Sequence, residues 1–295
     1  MDMREYAIGQ VTNLLARFAF ELRRALKSRN ADSIHDLRVA GRRFDQALEF
    51  FAPFVPEREA KKVRKRLRRL LEATGELRNY DVVLALAEEL GLPAGDAAAR
   101  KLRSDRADAA REVTTLLKKF ARRDFSSRWR NRLGLAGLDA HQGKGDPITV
   151  WKSARYALPL AAGKFFHAGR KALKSEGSVK PLHEFRLATK SFRYSLELFQ
   201  PIYGPAMDRR LDSLRQLQQV LGEIHDYAMA QEVLSAAGTR KKLLLRFKQR
   251  ERENVAAFQQ YWNDTMDAEG AQRQWIAYLS QFAGRRRTGL AAARG

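Results

Sequence analysis

Cysteine is absent from the 295 residues, so disulfides and thiolate metal sites are excluded. Long apolar runs are absent too: no stretch approaches the roughly 20 apolar residues that a membrane span requires. The opening MDMREYAIGQ carries acids where a signal peptide would carry an unbroken apolar run. These absences make a soluble, cytoplasmic protein the expectation. Acidic residues are few beside basic ones, 34 against 56, and leave a formal net charge of +22. Self-repulsion on that scale is tolerated where something anionic is bound, so the expected partner is a polyanion.

Strand signals are scarce, and helical periodicity takes their place. Candidate helices fall at 3–28, 33–52, 56–90 and 96–122, then at 149–174, 181–200, 205–236 and 240–267. Four amphipathic helices per half predict an all-α fold of two four-helix bundles, in keeping with about 150 residues per domain. Gly134, Gly137, Gly143, Gly145 and Pro147 gather between the halves and mark a connector. The expected organisation is an N-terminal bundle at 1–133, the connector at 134–148 and a C-terminal bundle at 149–268. Residues 269–295 follow, with a short helix around Trp275 to Phe282. The tail GRRRTGLAAARG has little to bury and is expected to be disordered.

One segment occurs twice. SIHDLRVAGRRFDQALEFFAPFV surrounds His35, and PLHEFRLATKSFRYSLELFQPIY surrounds His183, 148 residues later. At about 100° per residue, His35, Arg38 and Arg42 share one stripe of a helix, as do His183, Arg186, Lys190 and Arg193. The apolar faces lie opposite, with Leu37, Phe44, Leu48 and Phe51 in one copy and Phe185, Phe192, Leu196 and Phe199 in the other. Both basic stripes are therefore expected to point away from the core. Ser33 with Asp36 suggests a capping box, and Pro181 suits the first turn of its helix. The repeat continues into RLLEATGELRNYDV and RQLQQVLGEIHDYAM, which align Gly75 with Gly222, Tyr80 with Tyr227 and Arg78 with His225. A solvated charged face would explain one such helix; the same offsets twice argue for a site. His141 and His167 stand outside the pattern.

H-x-x-R-x-x-x-[RK] opening a helix, then a basic helix, then L-G-x-x-[RH]-[DN], resembles the CHAD domain, the conserved histidine α-helical domain, over nearly the whole chain. The resemblance implies two four-helix bundles related by a pseudo-twofold axis. It also implies a basic central channel that binds inorganic polyphosphate, association with polyphosphate granules, and no catalytic activity or cofactor. Carried over by position, the channel candidates are His35, Arg38, Arg42 and Arg43 in one copy and His183, Arg186, Lys190 and Arg193 in the other. Asp45 stands where the second copy has Arg193, and Ser191 where the first has Arg43, so the two walls are expected to differ in charge.

The ligand's chemistry suits these residues. Polyphosphate offers about one negative charge per internal phosphate and only oxygen acceptors, for which the arginine fork is the best-matched donor. Between Arg58 and Arg69 there are eight basic residues and one acid, Glu59. From this helix and its continuation come Lys62, Lys65, Arg66, Arg69 and Arg78, and from the second half Arg209, Arg210, Arg215 and His225. A polyanion beside the histidines favours imidazolium, so binding is expected to strengthen as pH falls.

Other functions leave weaker traces. Glu57, Glu59 and Lys61 match the E-x-E-x-K of CYTH triphosphatases, but that pattern needs a strand, and on a helix the two glutamates diverge by about 200°. His35-Asp36 and His225-Asp226 evoke a metal-dependent phosphohydrolase, although His183 is followed by glutamate. A general nucleic-acid binder would share the charge. Yet Phe44, Phe192 and Phe199 fall on the core side and leave no stacking platform, so nucleic acid is expected to bind only weakly or non-specifically. Trp129, beside Arg128 to Arg132, is expected to pack at a bundle end. A scaffold for acidic proteins is the remaining alternative.

Overall fold

The computed structural model describes residues 2–28, 30–121, 124–135, 149–175 and 179–281. Among them the fold is all-α, with ten α-helices: α1 Met3–Ser28, α2 Ala31–Phe50, α3 Glu57–Glu89, α4 Ala97–Ala121, α5 Phe125–Arg132, α6 Val150–Leu173, α7 Val179–Tyr203, α8 Ala206–Ala236, α9 Lys241–Tyr261 and α10 Ala271–Gln281. A 3-10 turn, Ala52–Phe54, precedes α3, and a π-helical turn, Trp262–Met266, follows α9. The eight long helices lie within a few residues of their expected positions, and α10 is the short helix expected near Trp275. Most of the connector, 136–148, and the basic tail lie outside the described residues. No helix among the described residues is long and apolar enough to cross a membrane.

Two compact units divide the chain, and they do not follow chain order. Ala7–Gln142 and Gly222–Val255 form the N-terminal unit; Met1–Tyr6, Gly143–Leu221 and Ala256–Gly295 form the C-terminal unit. The division therefore runs through α1, α8 and α9.

In the N-terminal unit the apolar stripes of α1 and α2 meet α5. Phe18 and Phe44 stack on Trp129 with ring centroids 6.0 Å away in each case, and Trp129 is buried. Truncating such a buried aromatic typically costs about 3–5 kcal/mol. Helix α5 was not expected from the sequence. Its Asp124 cap accepts a hydrogen bond from the Ser127 backbone at 3.3 Å, and its Phe125, Trp129 and Leu133 are buried at helical spacing. A second cluster joins Val83, Ala87 and Leu102 to Tyr227, Ala230, Leu234, Leu243 and Phe247.

The capping box expected of Ser33 and Asp36 is replaced by a different cap. Helix α2 begins two residues earlier, with Asn30 as N-cap accepting from Ser33 N at 2.9 Å, while Ser33 Oγ donates to the Asn30 carbonyl at 2.9 Å. Asp36 is thereby released to accept from Arg24 of α1 at 2.6 Å. An asparagine cap outcompetes the later serine because its amide oxygen reaches the orphan N–H of the first turn.

The C-terminal unit packs Phe165, Phe166, Phe185 and Phe258 around Trp262. A Cβ on Gly169 would lie 2.0 Å from the indole of Trp262, so only glycine lets this ring into the core. Arg170 anchors the same turn through two 2.7 Å hydrogen bonds to Asp267. Tyr203 donates to the Leu279 carbonyl at 2.8 Å and ties α7 to α10; burial pushes its hydroxyl pKa far above the ordinary phenol range.

Candidate functional site

The apolar faces assigned to the two copies are buried throughout: Leu37, Phe44, Leu48 and Phe51, and Phe185, Phe192, Leu196 and Phe199. The basic residues opposite them are used in different ways, and each unit is described separately.

In the N-terminal unit α2 and α3 pack against each other. Close approach is possible because Gly41 faces Leu67 and Leu71, the nearest atom lying 3.0 Å from a notional Cβ. This contact brings His35, Arg38 and Arg42 of α2 into electrostatic reach of Arg78 on α3. The imidazole of His35 is pushed below its ordinary value, first by desolvation and then by Arg78; Asp36 opposes the shift, and Arg42 and Arg38 add to it. Three guanidiniums acting on His35 against one carboxylate make the local potential positive in sign, as an anion site requires.

Arg38 departs from the expectation that the stripe points wholly away from the core. Its Nη1 crosses to α3 and donates to the Leu71 carbonyl at 2.5 Å and to Thr74 Oγ1 at 3.0 Å. Arg64 is also engaged, with Nε and Nη2 holding Asp45 at 2.8 and 3.2 Å and Nη2 holding Glu49 at 2.9 Å. The acid at 45 thus has a structural use: it is the α2 partner of an α3 arginine.

Along α3, Lys61, Arg64, Lys65, Arg68, Arg69 and Glu72 line a shallow depression of about 440 Å³. Lys65, Arg68 and Arg69 are exposed there. Lys62 and Arg66 face elsewhere. Lys62 pairs with Glu59 at 2.6 Å. Arg66 lies over the Phe120 ring at 5.5 Å, and its pKa is lowered by burial and by Arg128 and Arg132. Periodicity alone could not separate Arg66 from Lys65 and Arg69, because its partner is supplied by α4, far away in sequence; the partner of Lys62 is an acid of its own helix. Glu57 and Glu59 sit on a helix and pair separately, with Lys61 and Lys62. A second concavity of about 310 Å³, bounded by Glu76, Asn79, Tyr80, Lys101, Asp105 and the end of α8, has the opposite character. Burial first, then Asp105 and Glu76, raise the Tyr80 pKa; with two carboxylates against the one ammonium of Lys101, this lining is net acidic. His225 of α8 is half-buried in this unit.

In the C-terminal unit His183 is exposed on α7, and Arg186 and Lys190 are half-buried one and two turns on. Arg193 is drawn into packing: its side chain is only 13% exposed, 3.6 Å from Glu197 and 5.0 Å from the Tyr194 ring. Arg210 is more deeply engaged, lying 3.6 Å from the Tyr278 ring centroid and 5.5 Å from that of Trp275. Burial lowers its pKa. Arg209 is exposed, and Arg215 pairs with Asp212. Arg43 of α2 is half-buried in its own unit. Among the described residues no group of three or more His, Asp or Glu side chains is arranged to hold a metal ion.

Comparison with known proteins adds the family. The sequence model of the CHAD domain matches residues 9–235. The CHAD domain structure from the plant Ricinus communis superposes with a TM-score of 0.60 at 20% identity, covering 94% of this chain and 92% of that one. PptA from Streptomyces chartreusis superposes with a TM-score of 0.62 at 19% identity, covering 89% of this chain and 99% of that one. At these identities the likeness is one of fold. No curated protein matches the sequence.

Proposed function

The chain belongs to the CHAD domain family, and from that premise we propose that it binds inorganic polyphosphate on its basic faces, without turning it over. One face is formed by α2 and α3 of the N-terminal unit, the other by α7 and α8 of the C-terminal unit. The observation that carries the reading is the α3 depression, where Lys65, Arg68 and Arg69 are exposed on one shallow surface beside a single lining carboxylate, Glu72, and the two further lining cations, Lys61 and Arg64, are paired with Glu57, Asp45 and Glu49. A linear polymer with a charge at every unit and no base edges suits a row of guanidinium and ammonium donors. Nucleic acid suits it less. The exposed large hydrophobics among the described residues are Phe20, Tyr156, Leu160, Leu187 and Leu245, none of them on α2, α3 or α8, so bases would find no aromatic surface to stack on there. In the cell, bound polymer would place the protein in the cytoplasm at polyphosphate granules.

A competition titration tests this. Long-chain polyphosphate should displace duplex DNA and single-stranded RNA at one fixed salt concentration, with an affinity that falls steeply as salt rises because bound counterions are released. Equal affinity for DNA and polyphosphate near 0.15 M salt would remove the preference. Incubation with polyphosphate and Mg²⁺ or Mn²⁺ should release no orthophosphate; metal-dependent release lost in His225→Ala would make the protein a hydrolase.

A further inference from the structure

Glycine is a poor residue for the interior of a long helix, where it gives up the most backbone entropy and offers no side chain to pack. Gly75 stands near the middle of α3, and its φ lies outside the left-handed region that would demand glycine. What requires it is a neighbour. A Cβ at this position would lie 3.0 Å from Nη1 of Arg38, 3.3 Å from Nη2 and 3.5 Å from Cζ. The guanidinium fills the space that any other residue would take. Its Nη1 is held there by the Leu71 carbonyl at 2.5 Å and by Thr74 Oγ1 at 3.0 Å. Thr74 is fully buried and fixed in turn, donating to the Leu70 carbonyl at 2.6 Å.

We infer that Gly75 and Thr74 are positioning residues that seat the Arg38 guanidinium in advance for contact with phosphate. The inference rests on the polyphosphate reading above. An arginine on a free stem loses rotamer entropy when a ligand immobilises it; one already held on two acceptors loses less, and the saving appears as affinity. Lysine could not replace it, since a single ammonium does not span two acceptors and a phosphate with the geometry of the planar fork. Gly222, which the repeat aligns with Gly75, would meet nothing within 4 Å of its Cβ, and Leu221 stands where Thr74 does. The seat therefore belongs to one copy of the repeat.

Gly75→Ala separates this role from plain packing, because only the positioning role predicts a loss of affinity out of proportion to any loss of stability. The added methyl meets only the far end of a flexible side chain, and alanine favours the helix. Alanine's gain in helix propensity is offset by strain on the two hydrogen bonds that hold the guanidinium, so the Tm should stay within about 2–4 °C of wild type, while polyphosphate affinity falls about tenfold, the worth of one misplaced charge-assisted hydrogen bond. Thr74→Val, which keeps the shape and removes the acceptor, should weaken binding about threefold. In an Arg38→Ala background Gly75→Ala should have no further effect on affinity, the non-additivity expected of a residue acting through another. Wild-type affinity in Gly75→Ala, or losses that simply add in the double variant, would overturn the inference and leave polyphosphate binding intact. A Gly75→Ala protein whose Tm falls by more than about 4 °C along with its affinity makes the glycine a packing residue and overturns it too. Failure of the wild-type chain to bind polyphosphate removes both readings at once.

Discussion

The same histidine-led helix is built into the two units with different fates for its cations. On α2 the acid at position 45 and the acid at 49 tie up Arg64 of the next helix, and at His35 the charges of Arg78, Arg42 and Arg38 act together against Asp36 alone. On α7 the cation at the matching position, Arg193, folds back on Glu197 of its own helix, and Arg210 of α8 is sandwiched by aromatic rings of α10. A basic residue in this chain is therefore read by what the neighbouring helix offers it. A carboxylate or an indole makes it part of the packing, and a row of other cations makes it available to an anion.

The comparison breaks most visibly if the available cations are removed. Arg42→Ala with Arg78→Ala should lower polyphosphate affinity about 100-fold at ~0.1 M salt, two charge-assisted contacts at about tenfold each, with Tm nearly unchanged. Arg186→Ala with Lys190→Ala is the matching test in the other unit and should act in the same direction. A wild-type binding curve from either pair would show that its stripe is only solvated surface.

A smaller effect of the other kind is expected at Arg210. Its guanidinium is desolvated against Tyr278 and Trp275, so Arg210→Ala forfeits a cation–π contact worth about 2 kcal/mol and the packing of the stem. Urea unfolding should give a loss of about 2–3 kcal/mol, while affinity for polyphosphate, measured on the folded protein, moves by less than about threefold. A variant with wild-type stability and strongly reduced affinity would return Arg210 to the binding face.

These assignments mark where the sequence stops being legible. Helix positions and the buried face of each copy followed from period and spacing, because an apolar stripe of α2 or α7 must be buried wherever the partner lies; the family followed from the likeness of the repeated motifs to a known one. The choice among cations did not follow. Lys65 and Arg66 are adjacent and alike in sequence, yet Lys65 lines the α3 depression and Arg66 rests on Phe120, a residue of α4. Trp129 was expected to pack and is buried against Phe18, Phe44, Phe120 and Phe125, but the helix that carries it, α5, was missed because it is short enough to escape a periodicity window. Asn30 displaced Ser33 as the cap since capping depends on a helix start that propensity locates only to a residue or two. Gly75 was visible as a repeated glycine, but its purpose depends on where Arg38 ends, which only three-dimensional contact discloses.

The smallest expected effect is on pH dependence, and it distinguishes His35 from its surroundings. In the free protein desolvation, followed by the charge of Arg78, holds the imidazole pKa below its ordinary 6.5. Phosphate charges arriving beside it favour imidazolium and raise that pKa. Binding then takes up a proton, and affinity must rise as pH falls from above the bound-state pKa toward the free-state one, levelling off once free protein is protonated too. Folding follows the opposite course. A depressed pKa in the native state makes a contribution that is complete above 6.5 and is lost as pH falls through the folded value. Between pH 7.5 and 6 the affinity should therefore increase about two- to fivefold per proton taken up, measured by titration at constant ionic strength. His35→Gln should flatten this part of the profile and remove the matching loss of stability on the acid side. His183→Gln is the matching variant in the C-terminal unit; both histidines are exposed, and only His35 lies under the joint influence of Arg78, Arg42 and Arg38. An unaltered profile in His35→Gln would mean that the ring never senses the polymer, and that the positive group on α2 and α3 is approached from the side of Arg42 and Arg78 alone.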